Sequence, residues 1–393
     1  MTFEKTLSEA AYEAGFIAAG TIQAQKVQNA YQRLYWLKQN GHFMPFVPQN
    51  IKTRTTPSKC EPNKKSIILA LYPYGGNPVI TPSKPEDNHL RARMARIAWG
   101  QDYHSVVDKA LEKLALELQE KGYVDTYRLF VDTSPFAEKE LAYAAGLGKH
   151  GKNNCLIHPQ RGSFVLIGGI LVDKALPTIQ LIKPEQHQSC KSCNICVRAC
   201  PGQALDGTGM SVDLEKCAAY LTVKKGVVPL NQRPIFNDYL YGCDICQLVC
   251  PENSKRALFF QHDLPYWGGR KLNIDELYPK IAHIIELSGK AYKKWFGNNA
   301  VYWRGRTVLQ RNAFIALGNM ETPKGLSLAF QGLEDEREVI RAHAVWAAAK
   351  MIQKATFKEK LRLKRWLEKS KKKDTSSLVL DELNHALHNL DMS

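Results

Sequence analysis

Eight of the ten cysteines in this 393-residue chain fall between Cys190 and Cys250, and no other feature restricts its folding as strongly. The first run is Cys190, Cys193, Cys196, Cys200 and Pro201, spaced C-x2-C-x2-C-x3-C-P. This is the bacterial ferredoxin run: three closely spaced thiolates hold three corners of one [4Fe–4S] cubane, and the fourth cysteine ligates the other cluster. The second run, Cys243, Cys246, Cys250 and Pro251, carries the end of the same pattern without its first cysteine. Cys217 supplies the missing thiolate. Crossed in this way, Cys190, Cys193, Cys196 and Cys250 ligate cluster one, and Cys200, Cys217, Cys243 and Cys246 ligate cluster two. Two zinc sites are the competing reading, because C-x-x-C pairs also suit zinc, but zinc explains neither the third close cysteine nor the repeated Cys-Pro. Cys60 and Cys155 are left without a role.

Two clusters in series conduct single electrons, so the remaining residues must hold the chemistry they feed. Hydrophobic residues make up 44% of the chain, an ordinary globular composition. No run of about 18 apolar residues marks a membrane span. The stretch Met1 to Gly15 lacks the basic start, apolar core and twin arginine of export signals, which leads us to expect a cytoplasmic location. Lys and Arg number 54 against 38 Asp and Glu, a net charge of +16. An excess of that size favours a polyanionic partner through neutralisation of phosphates.

Leu7, Ala10, Ala11 and Ala14 follow helical spacing up to Gly15, so residues 1–60 read as a helical lead-in, with 31–58 a loop-rich cover. Strands are predicted at Ser66–Tyr72, Tyr127–Val131 and Ser163–Val172, and helices at Ser105–Gln119 and Lys139–Leu147. Together these predict an α/β or α+β domain built on a mixed sheet. Neither a dinucleotide-binding glycine motif nor a P-loop is present. Further on, Leu309–Leu317 aligns with Ile340–Ala348 at an offset of 31 residues, matching Ala313 to Ala344 and Ala316 to Ala347. That period predicts a short HEAT-like helical stack. Lys354 to Lys373 holds ten Lys or Arg against Glu359 and Glu368, a candidate phosphate-binding face. Leu378 to Leu390 reads as a terminal amphipathic helix.

Several blocks resemble the epoxyqueuosine reductase family, which acts in queuosine synthesis on tRNA. They are Gly100-Gln-Asp-Tyr-His104, Val131-Asp-Thr-Ser-Pro135 with Glu138, Glu140 and Leu141, and Tyr241-Gly-Cys-Asp-Ile-Cys-Gln-Leu-Val-Cys-Pro251. Gly151-Lys-Asn-Asn154, Arg311-Asn-Ala313 and Ala316-Leu-Gly-Asn319 are similar as well. The resemblance implies reduction of epoxyqueuosine to queuosine at the tRNA wobble position, by cobalamin fed from the two clusters. A DxHxxG signature is absent, because Ser, Val and Val follow His104, so the resemblance implies a corrinoid without a lower His ligand from this chain. The architecture expected is an α/β (α+β) cobalamin-binding catalytic domain over 1–180, a ferredoxin-like dicluster domain over 181–260, and a HEAT-like helical repeat domain over 261–393 that binds tRNA.

Site roles follow from the same resemblance. Asp132 is the expected proton donor, which near neutral pH would require burial to raise its pKa. By residue type alone, Asp132 also suits a turn cap and Asp102 a helix N-cap. Arg54, Asp102, Tyr103, His104, Asp132, Lys152, Asn153, Asn154, Gly242, Cys243 and Asp244 are expected around the corrin. Lys224, Lys225, Arg304, Arg306 and Arg311 are expected to contact tRNA, and Trp99, Tyr103 or Trp303 to stack on its bases. The partners implied are a queuosine-family anticodon stem-loop and an electron donor such as a flavodoxin or ferredoxin; no membrane is expected, and a monomer is. Two rival readings are a corrinoid reductive dehalogenase and a plain dicluster electron carrier. The first conflicts with the basic charge and missing export signal, and the second leaves the other domains idle.

Overall fold

A computed structural model describes residues 2–45, 47–76, 83–181, 190–254, 266–267 and 270–391. Its packing yields two units, and each interleaves three segments of chain. Met1–Pro82, Gln101–Leu214 and Ile245–Lys271 form the first; Ser83–Gly100, Glu215–Asp244 and Leu272–Ser393 form the second. The three consecutive stretches read from the sequence therefore do not coincide with the compact units, because the chain leaves and re-enters each one.

The first unit is built on a four-stranded sheet. Its strands are β1 (Ala18–Gln23), β2 (Ser66–Pro73), β3 (Tyr127–Phe130) and β4 (Val165–Val172), in spatial order β1-β2-β4-β3. Every pairing is antiparallel, as in Ala19↔Ala70, Ile68↔Ile170 and Leu129↔Ile170. The mixed sheet expected from the sequence is thus corrected to an antiparallel one, and the unit is α+β. Strand β2 is a continuous apolar run, Ile67 to Leu71, because both sheet faces are covered. On one face Ile67, Leu69 and Leu71 share a core with Leu141 and Ala142 of α5 (Glu138–Ala144). On the other lies α4 (Tyr103–Glu120), above α1 (Phe3–Glu13). Gly168 admits α4, since an added Cβ would meet Val107 and Leu111, and Gly169 makes room for the ring of its cross-strand partner Phe130.

Strand β1 is the element missed in the lead-in. Its sequence, AAGTIQ, carries little strand signal, and pairing with the apolar β2 decides it. The loop-rich cover also needs correction, since it contains α2 (Gln28–Gln39) and α3 (Ile51–Thr55). Helix α2 buries only Ala30 and Leu34, too narrow a stripe to declare a helix by periodicity. Two short helices, α6 (Ile195–Ala199) and α7 (Ile245–Leu248), carry cysteines and pack together in this unit.

The second unit is mainly helical. Helices α8 (Arg306–Met320), α9 (Leu326–Gly332), α10 (Glu338–Met351), α11 (Phe357–Lys373) and α12 (Ser377–Asp391) succeed one another. Helix α8 packs on α10, and α10 on α12. The two aligned segments form the buried bodies of α8 and α10. Close approach depends on small residues: a Cβ at Gly318 would strike the Trp346 ring, and one at Gly332 the Phe314 ring. Among the described residues no helix is long and apolar enough to cross a membrane.

Candidate functional site

The end of β3 and the start of α4 place four chemically active side chains together in the first unit. Asp132 stands just past β3 with φ +53, in the left-handed region that residues other than glycine seldom adopt. Its N–H donates to Glu138 Oε2 at 2.9 Å, and Ser134 Oγ donates to Glu138 Oε1 at 2.7 Å. The first residue of α5 therefore holds this turn in place. The Asp132 side chain is 68% exposed.

Tyr103 Oη donates to Asp132 Oδ2 at 2.5 Å, and His104 Nε2 lies 3.7 Å from the same oxygen. His104 Nδ1 is 2.7 Å from Asp102 Oδ1, which also accepts the His104 backbone N–H at 3.0 Å. Asp102 is thus an N-cap and a histidine partner at once. The Tyr103 and His104 rings stack at 4.0 Å.

This geometry sets the charges. Burial pulls His104 down, but its hydrogen bond to Asp102 and the nearby Asp132 carboxylate outweigh it and raise the imidazole to about 9. The His104 imidazole beside it, opposed by burial and aided by the Tyr103 hydrogen bond, holds Asp132 below its ordinary value. The condition set from the sequence, that burial raise the Asp132 pKa, is not met here: with an imidazolium beside it, Asp132 is a carboxylate at neutral pH. Burial pushes Glu138 up to about 7.

The first unit also holds an ionic network whose cations Arg33 and Lys139, and whose His150, the sequence did not single out. Arg33 Nε and His150 Nε2 each approach the buried Glu140 carboxylate at 3.1 Å. Lys139 Nζ donates to Asn154 O at 2.9 Å and Oδ1 at 2.7 Å, and burial lowers its pKa to about 8. Arg33 also donates to Asn154 Oδ1, at 3.1 Å. Arg54 lies over the Phe43 ring, within the field of Glu140 and Glu138. Asn153 is 5% exposed, and its Oδ1 accepts the Cys155 N–H at 3.2 Å. Among the described residues, Arg54 Nε and Asn153 Nδ2 are buried donors without a hydrogen-bond partner. Lys152 turns to the cysteine run, donating to Asn194 Oδ1 at 2.8 Å and Lys191 O at 3.3 Å. Glu138, Glu140, Arg54, Lys152, Asn153 and Asn154 were singled out in the sequence; Arg33, Lys139 and His150 carried no local signal.

Cys196 lies in the electrostatic field of Cys250, Cys190 and Cys193, and burial followed by those three thiols raises its pKa. Packing of α6 on α7 thus gathers the first cysteine set within one unit. Among the described residues no three His, Cys, Asp or Glu side chains converge where they could share one metal ion. A cubane sets a different requirement, one thiolate to each of four irons. Of the second set, Cys200 and Cys246 belong to the first unit and Cys217 and Cys243 to the second.

In the second unit, Gly242 has φ +68, and an added Cβ there would strike Ala95. Asp244 is buried and accepts the Arg96 N–H at 2.7 Å. Lys224 pairs with Glu215 at 2.6 Å, while Lys225 is exposed. Arg306 donates to Leu287 O at 2.9 Å. Arg311 must be withdrawn from the RNA contacts. It is 1% exposed, and its guanidinium donates to the carbonyls of Lys224, Gly226 and Leu221.

Residues 54–133 match the family model described as Epoxyqueuosine reductase QueG, DUF1730, and residues 189–253 match the 4Fe-4S double cluster binding domain. The chain is 33% identical to the epoxyqueuosine reductase of Staphylococcus aureus (strain NCTC 8325 / PS 47), over 87% of each chain. It belongs to the epoxyqueuosine reductase family. The family's Vibrio cholerae serotype O1 member is 31% identical, over 93% of this chain and 96% of its own. A crystal structure of epoxyqueuosine reductase with a tRNA-Tyr epoxyqueuosine-modified stem loop has a TM-score of 0.86 at 27% identity. It spans 99% of this chain and 98% of its own. An epoxyqueuosine reductase is an oxidoreductase, so the plain electron-carrier reading is set aside. The double-cluster match covers all eight cysteines, the seven of the two runs and Cys217 between them.

Proposed function

We propose that this chain reduces epoxyqueuosine to queuosine at the wobble position of tRNA, using cobalamin fed by two [4Fe–4S] clusters. The observation that carries this reading is the Asp102–His104–Asp132–Tyr103 group, with the Asp132 carboxylate exposed, in the unit that also holds Cys190, Cys193, Cys196 and Cys250. In this reading residues 1–180 supply the cobalamin side, 181–260 the clusters, and 261–393 a HEAT-like RNA-binding stack. The relative solved with a modified stem loop supports tRNA as substrate.

Converting an epoxide to an alkene and water takes two electrons and two protons. Cobalamin, when bound, collects single electrons from the clusters and supplies two of them to the substrate. The unpartnered donors Arg54 Nε and Asn153 Nδ2 suit the amide carbonyls that rim a corrin. Both ring nitrogens of His104 face carboxylates, which supports binding without a lower His ligand from this chain.

The proton side falls to the chain's own residues. Asp132, the exposed carboxylate of the group, meets the departing oxygen. His104 carries one proton at neutral pH and Asp132 passes it to the oxygen, so Asp132 donates without having to be neutral at rest; solvent reaching the exposed Asp132 supplies the second, and the oxygen leaves as water. Tyr103 orients the carboxylate. The exposed lysines of α11 and Lys225 supply phosphate contacts, the cytoplasm is the setting, and a flavodoxin or ferredoxin supplies the electrons.

The test is to purify the chain anaerobically, reconstitute the clusters, and record its visible spectrum with and without cobalamin and a queuosine-family tRNA. A bound-corrinoid spectrum, with conversion of epoxyqueuosine to queuosine by mass spectrometry, is the expected result. A chain that binds no corrinoid would sink the reading.

A further inference from the structure

The sequence offers three aromatic side chains for stacking on RNA, and the structure separates them. Trp99 is 5% exposed, with its indole N–H bound to Met94 O at 2.9 Å, so it belongs to the core. Tyr103 is engaged with Asp132. Trp303 is 55% exposed, in the short turn Tyr302–Arg304 that ends at Gly305 with φ +84.

A lone exposed hydrophobic residue is unremarkable on a protein surface. Trp303 differs in being held. Its Nε1–H donates to Tyr241 Oη at 3.0 Å. The Arg304 guanidinium lies 4.2 Å from its ring centroid, and Arg304 Nε donates in turn to Val223 O at 2.5 Å. The carbonyl of Tyr302 accepts from Tyr292 Oη at 3.2 Å. The indole therefore presents its surface to water with its orientation fixed and a cation against it. The Val223 carbonyl that Arg304 holds immediately precedes Lys224 and the exposed Lys225. All of these residues lie in the second unit.

Unpaired RNA is recognised by bases splayed onto aromatic rings, with cations along the backbone, whereas a duplex hides its base faces. We propose that Trp303 is a stacking platform for an unpaired base of the tRNA substrate, with Lys225 placed for a phosphate of the same strand. The proposal rests on the reading of tRNA as substrate. It adds a residue that grips an unpaired base of that substrate.

Binding of the reconstituted full chain to an anticodon stem-loop is measured by fluorescence anisotropy, beside a fully paired RNA of equal charge. Trp303→Ala is expected to weaken stem-loop binding about 5- to 100-fold. Trp303→Phe should restore most of it, and the paired RNA should not distinguish the variants. In turnover, KM for tRNA should rise while kcat at saturation is kept. Difference fluorescence between wild type and Trp303→Phe isolates the Trp303 signal without the alanine variant, and stem-loop should quench it. Unchanged stem-loop affinity in Trp303→Ala, equal loss on paired RNA, or no quenching would each overturn the platform, including in favour of a protein partner at this surface. A wild-type chain that binds no RNA would overturn the tRNA reading itself along with it.

Discussion

Tyr103 Oη and Asp132 Oδ2 stand 2.5 Å apart, joining the first residue of α4 to the turn after β3. That contact makes Asp132 the outward end of a chain of polar groups running back through His104 to Asp102. Asp132→Asn should keep both clusters and the corrinoid spectrum and reduce single-turnover queuosine formation by about 100-fold or more. Tyr103→Phe should cost less, because the carboxylate remains and only its orientation loosens. Full activity in Asp132→Asn would remove it as the acid.

His104 gives the reaction an alkaline limit. Its folded-state pKa of about 9 lies above the ordinary histidine value, so the proton it holds is present below that value and is lost as pH rises through about 9. Its contribution to stability has the same sign, complete below the unfolded pKa and gone above about 9. Turnover should fall across that window, and the thermal midpoint should fall more steeply there in wild type than in His104→Gln. A pH–rate profile flat to pH 10 would show that the proton comes from elsewhere.

Cys217 tests the crossed ligand assignment. Cys217→Ser should lose about half of the iron and leave one cubane, visible by iron analysis and by electron paramagnetic resonance of the reduced protein. Turnover should stop, since the electron path is broken. Retention of all the iron would point to another ligand for cluster two.

Arg311 belongs to stability. Arg311→Leu leaves three backbone carbonyls without their donor and should cost about 2–5 kcal/mol by urea unfolding. Stem-loop affinity of the folded fraction should be unchanged.

Helix α11 carries Lys371, Lys372 and Lys373 in its last turn. Replacing all three with Gln should lower the slope of log binding constant against log salt by about 0.7 to 0.9 for each phosphate that these lysines neutralise. An unchanged slope with full-length tRNA would leave this face as ordinary solvated surface.

The local sequence determined what depends on covalent spacing and short-range preference. The cysteine runs announce their clusters because a cubane constrains ligand spacing along the chain. Ser66 to Tyr72 and Ser105 to Gln119 declare themselves because burial of one stripe or a whole strand leaves a periodic trace. Resemblance selected Asp132, but no local signal disclosed its charge. Only the tertiary structure decided that the turn after β3 meets the N-terminus of α4, 29 residues away in sequence. A carboxylate's proton affinity is set by neighbours in space, and His104 makes Asp132 an anion where burial alone would have made it an acid. The same reason separates Arg311 from Arg304 and Trp99 from Trp303. Each pair has one residue type and two fates, one member buried and the other partly or largely exposed, because exposure belongs to the packed chain and not to the residue.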